Sequence, residues 1–403
     1  MKRQLFYLSV LYILVNCVSN VTATAIPLES PTIAIGNIKL SYKGAFRLPM
    51  EESGESRMAY SQGTFTLSSD KKSIYMVGHI QHQAIGEFLI PQIIDSSDLE
   101  SLQTAAILQP FSTVLNRATS GNKQRVDKIT GMQEVNKQLL INGVRYYDAE
   151  AKVTDTTLII RNPQDLKNSI VDGYFELKGK AHAAGWISKV PDEWQERIGA
   201  RWLSGFASNY AINSRNSIGP TAYAFYPLAL LDTNDKSGLI YSEELLDYSL
   251  SHPLHPDRYN ELGKNNLWTE VSSAVYGFIV PGTGDYLVIG NSGGHTSGIG
   301  YKIKQDNGHL CGGPCSRKSL DRYNYYWIWN VNEFLDVKSG KVKPYELIPS
   351  NYGVFDQKRV HWSIIGADFD DKRNLLYVLY SGIDDKQNRF EKGPLMIVYD
   401  LDK

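Results

Sequence analysis

The residues best equipped for chemistry crowd one stretch, Gly290 to Val331, which holds His295, His309, Cys311 and Cys315. Imidazole and thiolate are the side chains that bind zinc, and the glycines around them allow close backbone approach. The tight H-x-C-x3-C spacing at the end of the run gives one expectation, a zinc ion held by these four side chains. A Cys311–Cys315 disulfide is the competing reading for an exported chain, with free thiols a third. A filled tetrahedral site leaves no open coordination position, so even the zinc reading makes the stretch a support and not a catalyst.

Three other groups carry chemistry. His79 and His82 follow the strand-like SIYMV. Side chains three apart on a strand point to opposite sides, so at most one faces a central channel, where it would serve as a general base near neutral pH; a histidine bonded to backbone is the plainer reading. Tyr147, in RYYDA, and Arg161, closing TLIIR, offer a proton-transferring phenol and a permanent cation. With 25 tyrosines in the chain, packing is the simpler role for any one of them. His182 with Trp186, and the polar run Asn209 to Pro220, suit hydrogen bonding to a sugar, with Arg215 placed to pair a carboxylate or sulfate; a polar surface loop explains the run equally well. H-E-x-x-H, G-x-S-x-G and P-loop signatures do not occur, which disfavours a serine hydrolase or a nucleotide-binding enzyme.

Short strands must position these groups. Four segments share turn residues, a short strand-forming run and a glycine: 68–79, 134–143, 282–293 and 369–382. Further short candidates include TAYAFYP, AVYGFIVP, NYYWIWNV and PLMIVYDL, separated by Gly, Pro, Asn or Asp. Blades of about 50 residues divide the chain into a seven-bladed β-propeller, an all-β fold. Leu395–Leu401 should close the ring beside a strand near Ile38–Leu48, leaving only short, protected sheet edges. The best helix candidates are 96–108 and 191–200, the second with proline and acids in its first turn. The polar stretch 232–268 reads as a long connection or blade insertion.

Residues 1–25 read as a signal peptide, with Lys2 and Arg3, an apolar run and Ala23-Thr24-Ala25, leaving 26–403 as one propeller domain, secreted or periplasmic. Without Lys2 and Arg3 the 42 basic residues become 40 against 43 acids, a formal charge of -3. That balance argues against a nucleic-acid binder. No apolar run after residue 25 is long enough to span a membrane as a helix.

Through GAFRLP, GHIQH, RYYDA, AHAAGW, SRNSIGP, GGHTSGIGY and YNYYWIWNV, the chain resembles secreted bacterial β-propeller polysaccharide lyases that cleave ulvan. The resemblance implies β-elimination at a uronic acid of a sulfated, anionic polysaccharide. It carries His82 and Tyr147 over as the acid-base pair, Arg161 as the group neutralising the uronate carboxylate, and Tyr210 as a further substrate-binding tyrosine. It also implies a metal away from the proton transfer, which favours zinc near Cys311 and Cys315. A non-catalytic glycan-binding propeller is the rival from another class. A glycoside hydrolase ranks third, since no pair of carboxylates stands out.

Overall fold

The computed structural model describes residues 32–207, 217–232, 235–357, 359, 362–388 and 390–402. Among the described residues, five mainly antiparallel sheets are set around an axis, and a sixth, two-stranded sheet pairs Ile299–Tyr301 with Pro314–Ser316. From the axis outward, the first blade runs Phe65–Leu67, Ser73–Val77, Ala84–Leu89 and Ala106–Thr113. The second runs Lys128–Val135, Gln138–Val144, Asp155–Ile160 and Val171–Leu177, with Gly238–Ile240 added in parallel at its outer edge. The third is Ile187–Lys189, Trp202–Ser204, Ala222–Phe225 and Ser242–Leu246. The fourth is Ser273–Ile279, Asp285–Gly293, Arg322–Asn330 and Asn351–Val354. The fifth combines Ile364–Asp370, Leu375–Asp384 and Gly393–Asp402 with the N-terminal Ile38–Arg47, and Ile33–Ile35 lies outside it. The five inner strands neighbour one another in order, and the fifth returns to the first.

The propeller is therefore five-bladed, not seven-bladed. Dividing length by a standard repeat overcounts because long connections consume chain: the helix Asp192–Ile198 in the third blade, the connection 247–272, and the insertion 294–321 in the fourth blade. The closure follows the expected strands, pairing Lys39 with Asp402 through Arg47 with Leu395. A covalently distant strand thus completes the last sheet by covering the outer edge of Gly393–Asp402.

Blades pack face to face, so their strands are buried on both sides and read as apolar runs. Ser73–Val77 is buried throughout; its Ile74 and Met76 meet Met396 and Val398 of the fifth blade, while Tyr75 and Val77 meet Ile129 and Ile141 of the second. Asp368 pins the far end of the axis, accepting from Thr66 Oγ1 at 3.0 Å, Leu67 N at 2.8 Å and Tyr276 OH at 3.0 Å. Of the two helix expectations, 191–200 forms Asp192–Ile198, stopped by Gly199 at φ 78°. The other yields only the 3-10 turn Leu99–Ser101, because Ala106–Thr113 is claimed as the outer strand of the first blade. Within 232–268, Gly238–Ile240 adds an edge strand to the second blade and Ser242–Leu246 supplies the outer strand of the third. No helix of the described residues is long and apolar enough to cross a membrane.

Candidate functional site

In each blade the second-to-third strand connection emerges on the same face as the links between blades. That face carries the His79–His82 turn, the 145–154 loop with Tyr147, and the insertion bearing His295 and the cysteines. Tyr210 and Arg215 fall outside the described residues, in the corresponding connection of the third blade.

Arg161 is on the other face. It begins the connection between the third and outer strands of the second blade, so the six residues Asp155–Ile160 separate it from the Tyr147 loop, roughly 20 Å at strand rise. Its guanidinium is also committed: Nε donates to Asp172 Oδ2 at 2.7 Å and Nη1 to Gln138 Oε1 at 2.8 Å. Arg161 braces the second blade and does not share a site with Tyr147. The sequence places a cation after a strand but cannot say at which end of the sheet it emerges without the number of turns between.

At the axis a cavity of about 220 Å³ opens on the loop-rich face, lined by Gln62, Thr64, Thr130, Ser273 and Asn291 over apolar walls that include Trp186 and Phe206. Gln83 connects it to the histidine turn. Gln83 Nε2 donates to Gln62 Oε1 at 2.5 Å and Ile80 O at 2.6 Å, and its Oε1 accepts from Ile129 N at 2.6 Å. From the axis a groove of about 420 Å³ runs outward along the fourth blade. It shares Ser273, Asn291, Ile364 and Ile365 with the cavity and is walled by Arg322, Tyr323 and Asn324 beneath Cys315 and Ser316. Together they make an elongated cleft of mixed polar and apolar lining, with Tyr323 and Arg322 in its wall.

His82 is exposed and His79 partly so, their rings stacked with centroids 4.6 Å apart. Burial, then the neighbouring His82 and Arg57, holds the His79 imidazole below its ordinary pKa. Ser56 Oγ accepts from His79 N at 3.0 Å and lies 3.1 Å from His82 Nδ1. The Ser56 hydroxyl, which can donate one hydrogen bond and accept two, orients the His82 ring through Nδ1 in either neutral tautomer. Tyr147 is 62 % exposed and edges a shallow hollow with Gln124, Arg145 and Lys152.

The four expected zinc ligands do not come together. Cys311 and Cys315 are joined as a disulfide, which occupies both sulfurs, and the sequence's second reading is the one that forms. Among the described residues no group of three or more His, Cys, Asp or Glu side chains could hold a metal ion. His309 is exposed on the insertion, whereas His295 is bound to Ser292 Oγ at 2.7 Å and sandwiched by Tyr323 and Tyr325. Asp321 organises this loop, accepting from His295 N at 3.1 Å, Thr296 N at 3.0 Å and Ser297 N at 2.7 Å.

Burial lowers the His295 pKa from 6.5 to about 4, opposed by the nearby Asp321 charge. Between those values the unfolded chain binds the proton and the folded chain does not, so stability is full above pH 6.5 and falls as pH drops toward 4. The loss is at most about 3 kcal/mol. Urea unfolding of wild type and His295→Phe at pH 7 and pH 4 should show the smaller acid loss in the variant; equal losses would remove His295 as the cause.

One arrangement had no sequence signal. His182 Nδ1 is in close hydrogen-bond contact with Asp247 Oδ1, two partly buried side chains far apart in the chain. The sequence singles out His182 but not its partner, which only the closing of the third blade brings beside it.

No family model matches the chain, and no curated protein matches it. Among solved structures, it is similar to a member of the DUF4221 family from Bacteroides vulgatus at 10% identity and TM-score 0.33, over 91% of this chain and 98% of that one. It is also similar to a β-fructofuranosidase mutant of Microbacterium saccharophilum at 9% identity and TM-score 0.23, over 92% of this chain and 59% of that one. Likeness at this level places the chain in no family, and the reading of its site rests on its own geometry.

Proposed function

We propose that this chain is an exported propeller that acts on an acidic polysaccharide, as a lyase of ulvan-type sulfated uronate chains. The observation that supports this most is the cleft, an axial cavity with polar groups over apolar walls, continuous with a groove walled by Arg322 and Tyr323. A groove admits a polymer, an aromatic ring stacks on a sugar face, and a guanidinium pairs with a uronate carboxylate or sulfate. β-Elimination sets three demands: neutralisation of the carboxylate, a base for the C5 proton, and an acid for the departing O4. On this reading Arg322 takes the neutralising role that Arg161 cannot fill from the opposite face. Tyr147 and His82, which the connections after the second strands carry to the loop-rich face, are the donors to O4.

The test is incubation of the purified protein with ulvan, following the ultraviolet absorbance of the unsaturated uronate and the chain length of the products. Both should change, and Tyr147→Phe and His82→Ala together should lower the rate about a hundredfold with folding intact. Unchanged ulvan would end the lyase reading, and wild-type rates in the double variant would end these two roles. The separation of Arg161 from Tyr147 favours a second reading, a non-catalytic glycan-binding propeller. It is identified by retention of intact ulvan without shortening.

A further inference from the structure

The partners of the histidines differ, and one residue alone among the described histidines has a carboxylate on its ring nitrogen. A general base requires a lone pair on an exposed ring nitrogen, and a neutral imidazole has it only on the nitrogen that carries no proton. His82 Nδ1 faces the Ser56 hydroxyl, and His79 Nδ1 accepts from Gln81 N at 3.2 Å. His255 Nδ1 accepts from Asp257 N at 3.2 Å. His252 Nδ1 lies among Ser249 and Ser251 while its ring stacks on Tyr345, and His295 is largely enclosed. His309 is exposed without an orienting carboxylate among the described residues, and His361 lies outside them.

His182 differs. Its Nδ1 is turned to a carboxylate, which can only accept, so Nδ1 carries the proton and Nε2 carries the lone pair. The side chain is 18% exposed, and no partner holds Nε2 among the described residues. Its backbone is fixed as well, with the His182 carbonyl accepting from Thr221 Oγ1 at 2.5 Å. Two residues on, Ala184 O accepts from Thr130 Oγ1, and Trp186 follows; Thr130 and Trp186 both line the axial cavity. The histidine thus stands on the loop-rich face, on the link between the second and third blades, four residues before the cavity-lining Trp186. Tyr223 and Glu244 also face Asp247, and burial with the acidic neighbours raises the pKa of both. Asp247 is the carboxylate in direct contact with the ring.

We propose that His182, oriented by Asp247, is the proton-accepting residue of this face. Its catalytic use rests on the lyase reading above. There, Nε2 takes the C5 proton, the C5–H electron pair becomes the C4=C5 double bond, and the C4–O4 bond breaks as O4 receives a proton from a donor on the opposite side. Asp247 is a positioning residue, since it acts through the ring.

The test has two arms on the full chain. In the first, diethyl pyrocarbonate is added at pH 7 and the modified histidines are mapped by peptide mass spectrometry. His182 should react before His79 and His82, and Asp247→Asn, which presents an amide N–H to Nδ1 and reverses the tautomer, should slow that reaction at least fivefold. In the second, His182→Gln should lower kcat on ulvan at least a hundredfold with KM within threefold. Reaction of His79 or His82 ahead of His182 overturns the proposal, as does a His182→Gln variant of wild-type rate. If wild type leaves ulvan intact while His182 still reacts first, the lyase reading fails and the assignment of the base stands.

Discussion

Gly131→Ala is expected to destabilise the propeller by at least the upper part of the roughly 1–3 kcal/mol that overpacking costs. The added Cβ would lie 1.8 Å from the Gly185 carbonyl oxygen, where the inner strand of the second blade meets the third. That oxygen has little freedom to retreat, because it accepts from Asn142 Nδ2 at 3.0 Å and a Cβ on Gly185 would itself meet Gly205 O at 2.2 Å. Gly131 has no left-handed backbone requirement, so the loss is steric and not torsional. Gly366→Ala repeats the situation between the fifth and first blades, 1.9 Å from Gly63 O. Urea midpoints should fall in both variants and stay unchanged in Gly312→Ala, where nothing lies within 4 Å. A wild-type midpoint in Gly131→Ala would show that the blades separate at little cost.

Those contacts also explain how much of the fold was legible. The four turn-strand-glycine segments fall on the hairpin and second strand of the first, second, fourth and fifth blades: Ser73–Val77, Gln138–Val144, Asp285–Gly293 and Leu375–Asp384. Counting hairpins would have come within one of the right blade number. The third blade escapes the pattern because a helix, Asp192–Ile198, replaces its first turn. Chain length misled because insertions are local in sequence yet add nothing to the ring. The closure was legible because Leu395–Leu401 and Ile38–Leu48 are both strand-forming runs, and a ring demands that its ends pair.

The site was less legible, for a geometric reason. A residue next to a strand has a known neighbour but an unknown face, and that face depends on the parity of the turns before it. His82 and Tyr147 both follow second strands and so share a face, whereas Arg161 follows a third strand and faces away. Of the readings open to the cysteines the disulfide forms and the favoured zinc site does not, with His295 taken up by Ser292 and Tyr323. Asp247 illustrates the remaining limit: a carboxylate that orients a histidine across a blade leaves no mark at a fixed spacing.

The largest electrostatic effect should come from Asp356→Ala, with a loss of about 3–5 kcal/mol. Asp356 and Arg359 are 2% and 0% exposed and lie 2.5 Å apart, with Tyr380 OH donating to the same carboxylate oxygen at 3.2 Å. The Arg359 guanidinium also lies 5.9 Å from the Tyr42 ring and 5.8 Å from that of Tyr380, and Tyr42 packs edge-on against Tyr399. These tyrosines come from the N-terminal strand and from two C-terminal strands of the fifth blade, so the ion pair sits where the ring is closed. Removing the carboxylate takes from the fully buried guanidinium its Asp356 countercharge, and the cost is that of keeping this charge buried with less compensation more than of the lost attraction. The double variant Asp356→Leu/Arg359→Met separates these contributions, because it removes both charges and keeps apolar volume. Urea unfolding should show a lowered midpoint in Asp356→Ala and recovery of most of the loss in the double variant. If the double variant is as unstable as the single one, the hydrogen bonds to Tyr380 and Tyr399, and not the buried charge, hold the closure together.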